Sequence, residues 1–162
     1  MPQRMRWQLA LVVVLVAIDQ MSKWWIEQQS EMLHLVVIPG FFNIIKAHNS
    51  GVAFSMLADL PPEWGTMLIL GMTIGIALVV LLWWWRGRYQ QSSEGWWLAL
   101  VLAGAIGNIW DRSQLGYVVD FIQWFVVIDG HAYIWPAFNV ADSAISVAVA
   151  GLIVTSFRLQ RS

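Results

Sequence analysis

Four stretches of this chain read as membrane-crossing helices, and that feature limits its fold more than any other. A helix crossing the hydrocarbon of a bilayer needs roughly 20 apolar residues. Runs of that length lie at about 7–25, 65–85, 95–114 and 138–157. Tryptophan, which prefers the boundary between water and hydrocarbon, gathers where these runs end, at Trp7, Trp24-Trp25, Trp83-Trp84-Trp85 and Trp96-Trp97. Only 12% of the 162 residues are charged, against 59% hydrophobic. A water-soluble domain needs about twice that charged share to cover its surface. The predicted class is therefore an integral membrane α-helical domain occupying residues 1–162.

The first run follows Arg4 and Arg6 and has the look of a signal peptide. No A-x-A-like site follows it, and Trp24-Trp25 stands where small residues would be needed. It is predicted to stay as an uncleaved anchor. Basic residues then set the orientation. With both termini on the cytoplasmic side, Arg4, Arg6, Arg86, Arg88, Arg158 and Arg161 all fall inside. Lys23, Lys46 and Arg112 lie toward the other side, and among the acidic residues Glu94 alone falls inside. The segments at about 26–64 and 115–137 then face outward. Within them, 33–48 and 117–128 are apolar, β-branched and strand-like, the first broken by Pro39-Gly40.

Net charge is −1, which excludes a basic nucleic-acid binder. With no cysteine there is no disulfide framework, no thiol nucleophile and no thiolate-held metal. His34, His48 and His131 lack metal-ligand spacing. No phosphate-binding glycine loop is present, so neither metal nor cofactor is predicted. A Ser/Lys dyad drawn from Ser22-Lys23, Ser50 or Ser143 has no supporting pattern.

Ionisable groups inside spanning segments are costly and are functional candidates by default. Asp19, Asp111, Asp120 and Asp142 all fall near the outward ends of the runs, at one depth. Asp19 and Lys23, four apart, share one helix face as an ion pair. They either neutralise the anchor, with Lys23 reaching outward, or line a polar site. Asn108, Asp111 and Arg112 follow Gly104 and Gly107, which permit close helix approach. They read as a hydrogen-bonded knot between helices, with Arg112 also able to bind an anionic or ester oxygen. Asn139 suits a helix N-cap, and Asp142 three residues later resembles a capping box. A helix N-terminus stabilises an anion, which suits Asp142 to general-base work. Asp120 is a lone carboxyl between apolar neighbours, where desolvation favours the neutral acid. Two carboxyls in such unlike surroundings are an acid/base signature.

Five segments in order resemble the lipoprotein signal peptidases, or signal peptidase II, of bacterial inner membranes. They are Asp19-Gln20-Met21-Ser22-Lys23, Asn49-Ser50-Gly51-Val52-Ala53-Phe54-Ser55, Gly104-Ala105-Ile106-Gly107-Asn108-Ile109-Trp110-Asp111-Arg112, Val118-Val119-Asp120-Phe121 and Phe138-Asn139-Val140-Ala141-Asp142-Ser143. The resemblance implies a membrane-embedded aspartyl protease that removes the signal peptide of a diacylglyceryl-modified prolipoprotein just before the lipidated cysteine. Asp120 and Asp142 would be the catalytic pair. Asp19, Lys23, Asn49, Gly51, Gly104, Asn108, Arg112 and Asn139 would bind substrate or shape the site. The implied fold is a four-helix bundle with an outward β-cradle and a short surface helix in the first outer loop. It implies no cofactor, and its partners are the lipidated substrate and membrane lipids, with the protein monomeric. Departures are Val52 in the second segment, Ala103 before Gly104, and a long stretch between Asp120 and Asp142. Two other readings of intramembrane carboxylates are a small proton-coupled transporter and a non-catalytic lipid-binding membrane protein.

Overall fold

A computed structural model describes residues 3–51, 62–86 and 93–159. Its elements in chain order are α1 (Gln3–Glu27), β1 (His34–Ile38), β2 (Phe42–Asn49), α2 (Pro62–Trp85), α3 (Glu94–Leu115), β3 (Val118–Ile128), β4 (His131–Ile134) and α4 (Val140–Leu159). The four apolar runs are thus four long helices, and the strand-like segments form an antiparallel sheet in the order β1-β2-β3-β4.

Among the described residues, three helices are long and apolar enough to cross a bilayer: Gln3–Glu27, Trp64–Trp85 and Val140–Phe157. Within hydrocarbon every backbone polar group must be satisfied inside the segment, and a helix does this. Their large apolar side chains face outward, among them Val13 and Ile18 of α1, Met67 and Val79 of α2, and Val147, Ile153 and Phe157 of α4. α3 differs from the expectation of a fourth equivalent span. Gly104, Gly107, Asn108, Asp111 and Arg112 lower its apolarity, and its place explains why the fold accepts them. α3 is the central helix and packs against α1, α2 and α4. Its Leu98, Ala99, Leu102, Ala103 and Ala105 are buried.

Small residues set how closely these helices approach. A side chain at Gly104 would strike the Ala141 carbonyl and Ile145 of α4, and one at Gly107 would strike the Asp19 carboxylate of α1. On the same interface Ala141, Ala144 and Ala148 of α4 are buried. Two side-chain hydrogen bonds tie the opposite end of the bundle: Trp84 Nε1 donates to Gln8 at 3.0 Å, and Trp97 Nε1 donates to Thr155 at 3.1 Å.

The sheet hangs from the other end. β1 and β2 pair with His34 opposite Ile45 and Val36 opposite Asn43. The Pro39-Gly40 break is the turn, with Gly40 at φ 77°. β2 pairs with β3 so that Ala47 faces Asp120 and Asn49 faces Val118. β3 and β4 form a hairpin whose turn residues, Asp129 and Gly130, have φ 51° and 76°. Positive φ at both positions is the two-residue turn that matches strand twist, and Asp-Gly is a preferred pair there. The long stretch between Asp120 and Asp142 is therefore an ordered hairpin.

No helix lies among the described residues 28–51 of the first outer segment. Residues 52–61, which include Val52 and the rest of the second sequence motif, lie outside the described residues. So does most of the 86–94 turn.

Candidate active site

The sequence-predicted residues come together where the ends of α1, α3 and α4 meet β2 and β3. Chain geometry explains the meeting. Phe138 pairs with Ile122 of β3, its N–H donating to the Ile122 carbonyl at 3.0 Å and its carbonyl accepting from Ile122 at 2.8 Å. Asn139, the next residue, is thereby held beside Asp120 while it starts α4.

Asn139 is fully buried and bonds to both acids of the expected pair. Its side-chain nitrogen donates to Asp120 Oδ1 at 2.8 Å. Its side-chain oxygen accepts from the Asp142 backbone N–H at 2.9 Å, and its own N–H donates to Asp142 Oδ2 at 3.4 Å. This is the reciprocal capping pattern read from the sequence, with Asp in the third position. The other oxygen of Asp120 accepts from Asn49 Nδ2 at 2.9 Å. The other oxygen of Asp142, Oδ1, accepts from Asn108 Nδ2 at 2.7 Å.

Asparagine amides can face either way, and here a donor at each oxygen decides. Gly51 N–H donates to Asn49 Oδ1 at 2.9 Å. Gly51 has φ 78°, a left-handed conformation natural to glycine, and a side chain there would strike Ile69. The Asp142 N–H holds the oxygen of Asn139, and Lys23 Nζ holds Asn108 Oδ1 at 3.0 Å. All three amides must therefore present their NH2 groups to carboxylates.

Asp120 is 2% exposed. Burial pushes its carboxyl up to about 6; the Asn49 bond opposes the shift and the Asp142 charge adds to it. A carboxyl so placed holds a proton more readily than an ordinary aspartate. A cavity of about 360 Å³ opens beside Asp142. Its walls are Ser143, Ser146 and Val147 of α4, with Trp124, Trp135 and Phe138 from the sheet side.

Lys23 sits 2% exposed at the back of the site. It pairs with Asp19 at 2.8 Å and Asp111 at 2.9 Å. The outward reach considered for it does not occur, because two carboxylates and Asn108 satisfy its three donors inside the protein. Asp19 also accepts from the Ala141 N–H at 2.9 Å, which joins α1 to the start of α4. Arg112 is partly buried, with Asp142, Asp120 and Asp111 nearby, and its Nε is buried without a hydrogen-bond partner. Among the described residues, no three histidine or carboxylate side chains gather in a way that would hold a metal.

Three contributors, Gln20, Trp124 and Trp135, were not in the predicted set. Gln20 donates to Asp111 at 2.8 Å and to the Gly107 carbonyl at 3.3 Å, and Asp111 in turn accepts from the Val119 N–H at 3.2 Å. Gln20 stands next to Asp19 in the first motif, but nothing in one sequence separates it from a lipid-facing neighbour. Trp124 and Trp135 reach the cavity only because the hairpin folds back, and no local pattern reports that.

The profile of the signal peptidase II family matches residues 11–158. The chain belongs to that family. A relative from Solibacter usitatus (strain Ellin6076), named lipoprotein signal peptidase, is 35% identical over 97% of this chain and 94% of its own. Another of that name, from Pseudomonas syringae pv. tomato, is 38% identical over 98% and 90%. A bacterial membrane enzyme solved by the in meso method at 2.3 Å resolution superposes with a TM-score of 0.77 at 29% identity, covering 93% of this chain and 87% of that one. Together with its three helices long and apolar enough to cross a bilayer, this likeness makes the chain a membrane protein.

Proposed function

We propose that the protein is an aspartic endopeptidase that removes the signal peptide from diacylglyceryl-modified prolipoproteins just before the lipidated cysteine. The observation that carries the reading is one buried asparagine, Asn139, whose side-chain NH2 donates to the Asp120 carboxyl and whose backbone N–H donates to the Asp142 carboxyl, beside a cavity. The family and the names of the relatives supply the substrate class.

Asp142 acts as general base. It takes a proton from a water held between the two carboxyls, and the hydroxyl oxygen attacks the scissile carbonyl carbon. Asp120 gives its proton to the carbonyl oxygen, so a neutral gem-diol forms. Collapse breaks the C–N bond as a proton passes to the leaving amine. The products are a carboxylic acid and a free amine, and the pair returns to one shared proton. Arg112, with its unpartnered Nε, receives a substrate oxygen. Asn49, Asn108 and Asn139 keep both carboxyls aimed, and Gly51 and Gly104 leave room for chain and helix approach.

All four long helices span the membrane, with both termini in the cytoplasm and the sheet at the outer face of a bacterial inner membrane. Basic residues support this orientation, since Arg4, Arg6, Arg86 and Arg158 stand at the helix ends away from the sheet. The substrate's acyl chains remain in the bilayer, the bond to be cut reaches the depth of Asp120 and Asp142, and one copy of the chain suffices. A gel-shift assay on a diacylglyceryl precursor tests the reading. Wild type converts the precursor, while Asp120→Asn and Asp142→Asn fold and leave it uncut. Near-normal turnover by either variant would sink the mechanism.

A further inference from the structure

Lys23 touches neither carboxyl of the proposed pair, yet an unbroken line of hydrogen bonds joins it to one of them. Its Nζ donates to Asn108 Oδ1 at 3.0 Å, and Asn108 Nδ2 donates to Asp142 Oδ1 at 2.7 Å. An ammonium can only donate. Asn108 must therefore turn its oxygen toward Lys23 and its NH2 toward Asp142. With any group able to accept at position 23, the amide could flip and set its oxygen against the Asp142 carboxylate. Asn139 Nδ2, at 3.3 Å from Asn108 Oδ1, is a weak second donor: one of its hydrogens goes to Asp120 at 2.8 Å, and the other is shared with the Val119 carbonyl at 3.3 Å.

We propose that Lys23 is a positioning residue for the reaction: by fixing the amide orientation of Asn108 it aims the Asp142 carboxylate at the water it activates. The proposal rests on the protease reading above. It also explains why a buried cation is kept with two carboxylates, Asp19 and Asp111, when replacing such groups by apolar residues often leaves a protein equally stable. Those carboxylates hold the ammonium in place, and its third donor is left for Asn108.

The test is steady-state cleavage of a fluorescent diacylglyceryl precursor by the full-length protein in detergent. Asp19→Asn alone sets the baseline, and Lys23→Gln/Asp19→Asn breaks the link while keeping the wild type's net charge in the cluster, with Asp111 then held by Gln20 and the Val119 N–H. Relative to that baseline, the double variant should lose about 10- to 100-fold in kcat with KM held, since only aim is lost. Lys23→Arg/Asp19→Asn, which keeps a donor-only cation, should recover most of it. Asn108→Ala removes the same link with both ion pairs intact, and should show the same kcat deficit. Adding the Lys23 change to Asn108→Ala should then cost little more, because the two act through one path. Full additivity, or a loss carried by KM, would overturn the proposal, as would equal activity of the Gln and Arg variants. If Lys23→Gln/Asp19→Asn fails to fold, Asn108→Ala decides alone: wild-type kcat there is the overturning result, and its kcat deficit at constant KM the supporting one. All comparisons are among active enzymes, so failure here leaves the protease reading standing, whereas a wild type that cuts nothing removes that reading itself.

Discussion

At the scale of residues, the two acids differ in how they are held. Asp120 lies in a strand, buried, with two neutral amides on its oxygens. Asp142 lies in the first turn of α4, where the helix dipole favours negative charge and the Asn139 N–H donates to its carboxylate. Conversion to asparagine should lower cleavage by at least 10²-fold in either variant, the range for loss of a general acid or base. The titration of Asp120 can be observed separately by infrared spectroscopy. In wild type its protonated C=O band should disappear near pH 6, and Asp120→Asn should lack it. In Asp142→Asn the midpoint should move down, because the neighbouring charge that raises it is gone. Since the folded carboxyl sits above its ordinary value of 3.8, Asp120 opposes folding increasingly as pH rises from there to about 6. Both acids were legible in the sequence, one from its apolar neighbours and one from its capping position. The amide orientations were not, because each is decided by a donor from another element.

At the scale of elements, glycines govern the crossing of α3 with its neighbours. Gly104→Ala and Gly107→Ala should each destabilise by about 1–3 kcal/mol through overpacking, read as a lower unfolding midpoint in detergent. Gly104 presses on the Ala141 carbonyl and Gly107 on Asp19, so neither neighbour can yield without disturbing the start of α4 or the Lys23 pair. The β3–β4 hairpin offers a second check. Gly130→Val places a β-branched residue at φ 76°, which should fray the turn and expose it to limited proteolysis while the bundle melts as before. Helices and the first three strands were legible from apolar run length and the Pro39-Gly40 break, whereas the β3–β4 hairpin came only from the structure. The central position of α3 was foreshadowed only by its glycines and amides. One sequence does not say which neighbours those groups meet.

At the scale of the whole molecule, the bilayer is part of the proposed specificity. Tryptophans stand at both ends of the bundle, exposed at Trp7 and Trp85 on one side and at Trp24, Trp64 and Trp110 on the other. The site lies at the depth of the second set. A substrate fixed in the same bilayer by its acyl chains arrives at that depth already, and each buried CH₂ adds about 0.8 kcal/mol of membrane affinity. An unlipidated precursor should therefore be cleaved at least 100-fold more slowly at equal concentration in a detergent assay, and parity between the two would refute this use of lipid. The amino-acid sequence by itself determined the membrane class, the helices and strands and the chemically unusual residues, because run length, charge and local turn chemistry act over a few neighbouring residues. Tertiary structure alone decided that Lys23 turns inward, that Gln20 braces Asp111, and that Asn139 joins the two acids. Those outcomes depend on donors and acceptors up to 122 positions apart, as between Asp19 and Ala141, and only the closed bundle brings them within hydrogen-bonding reach.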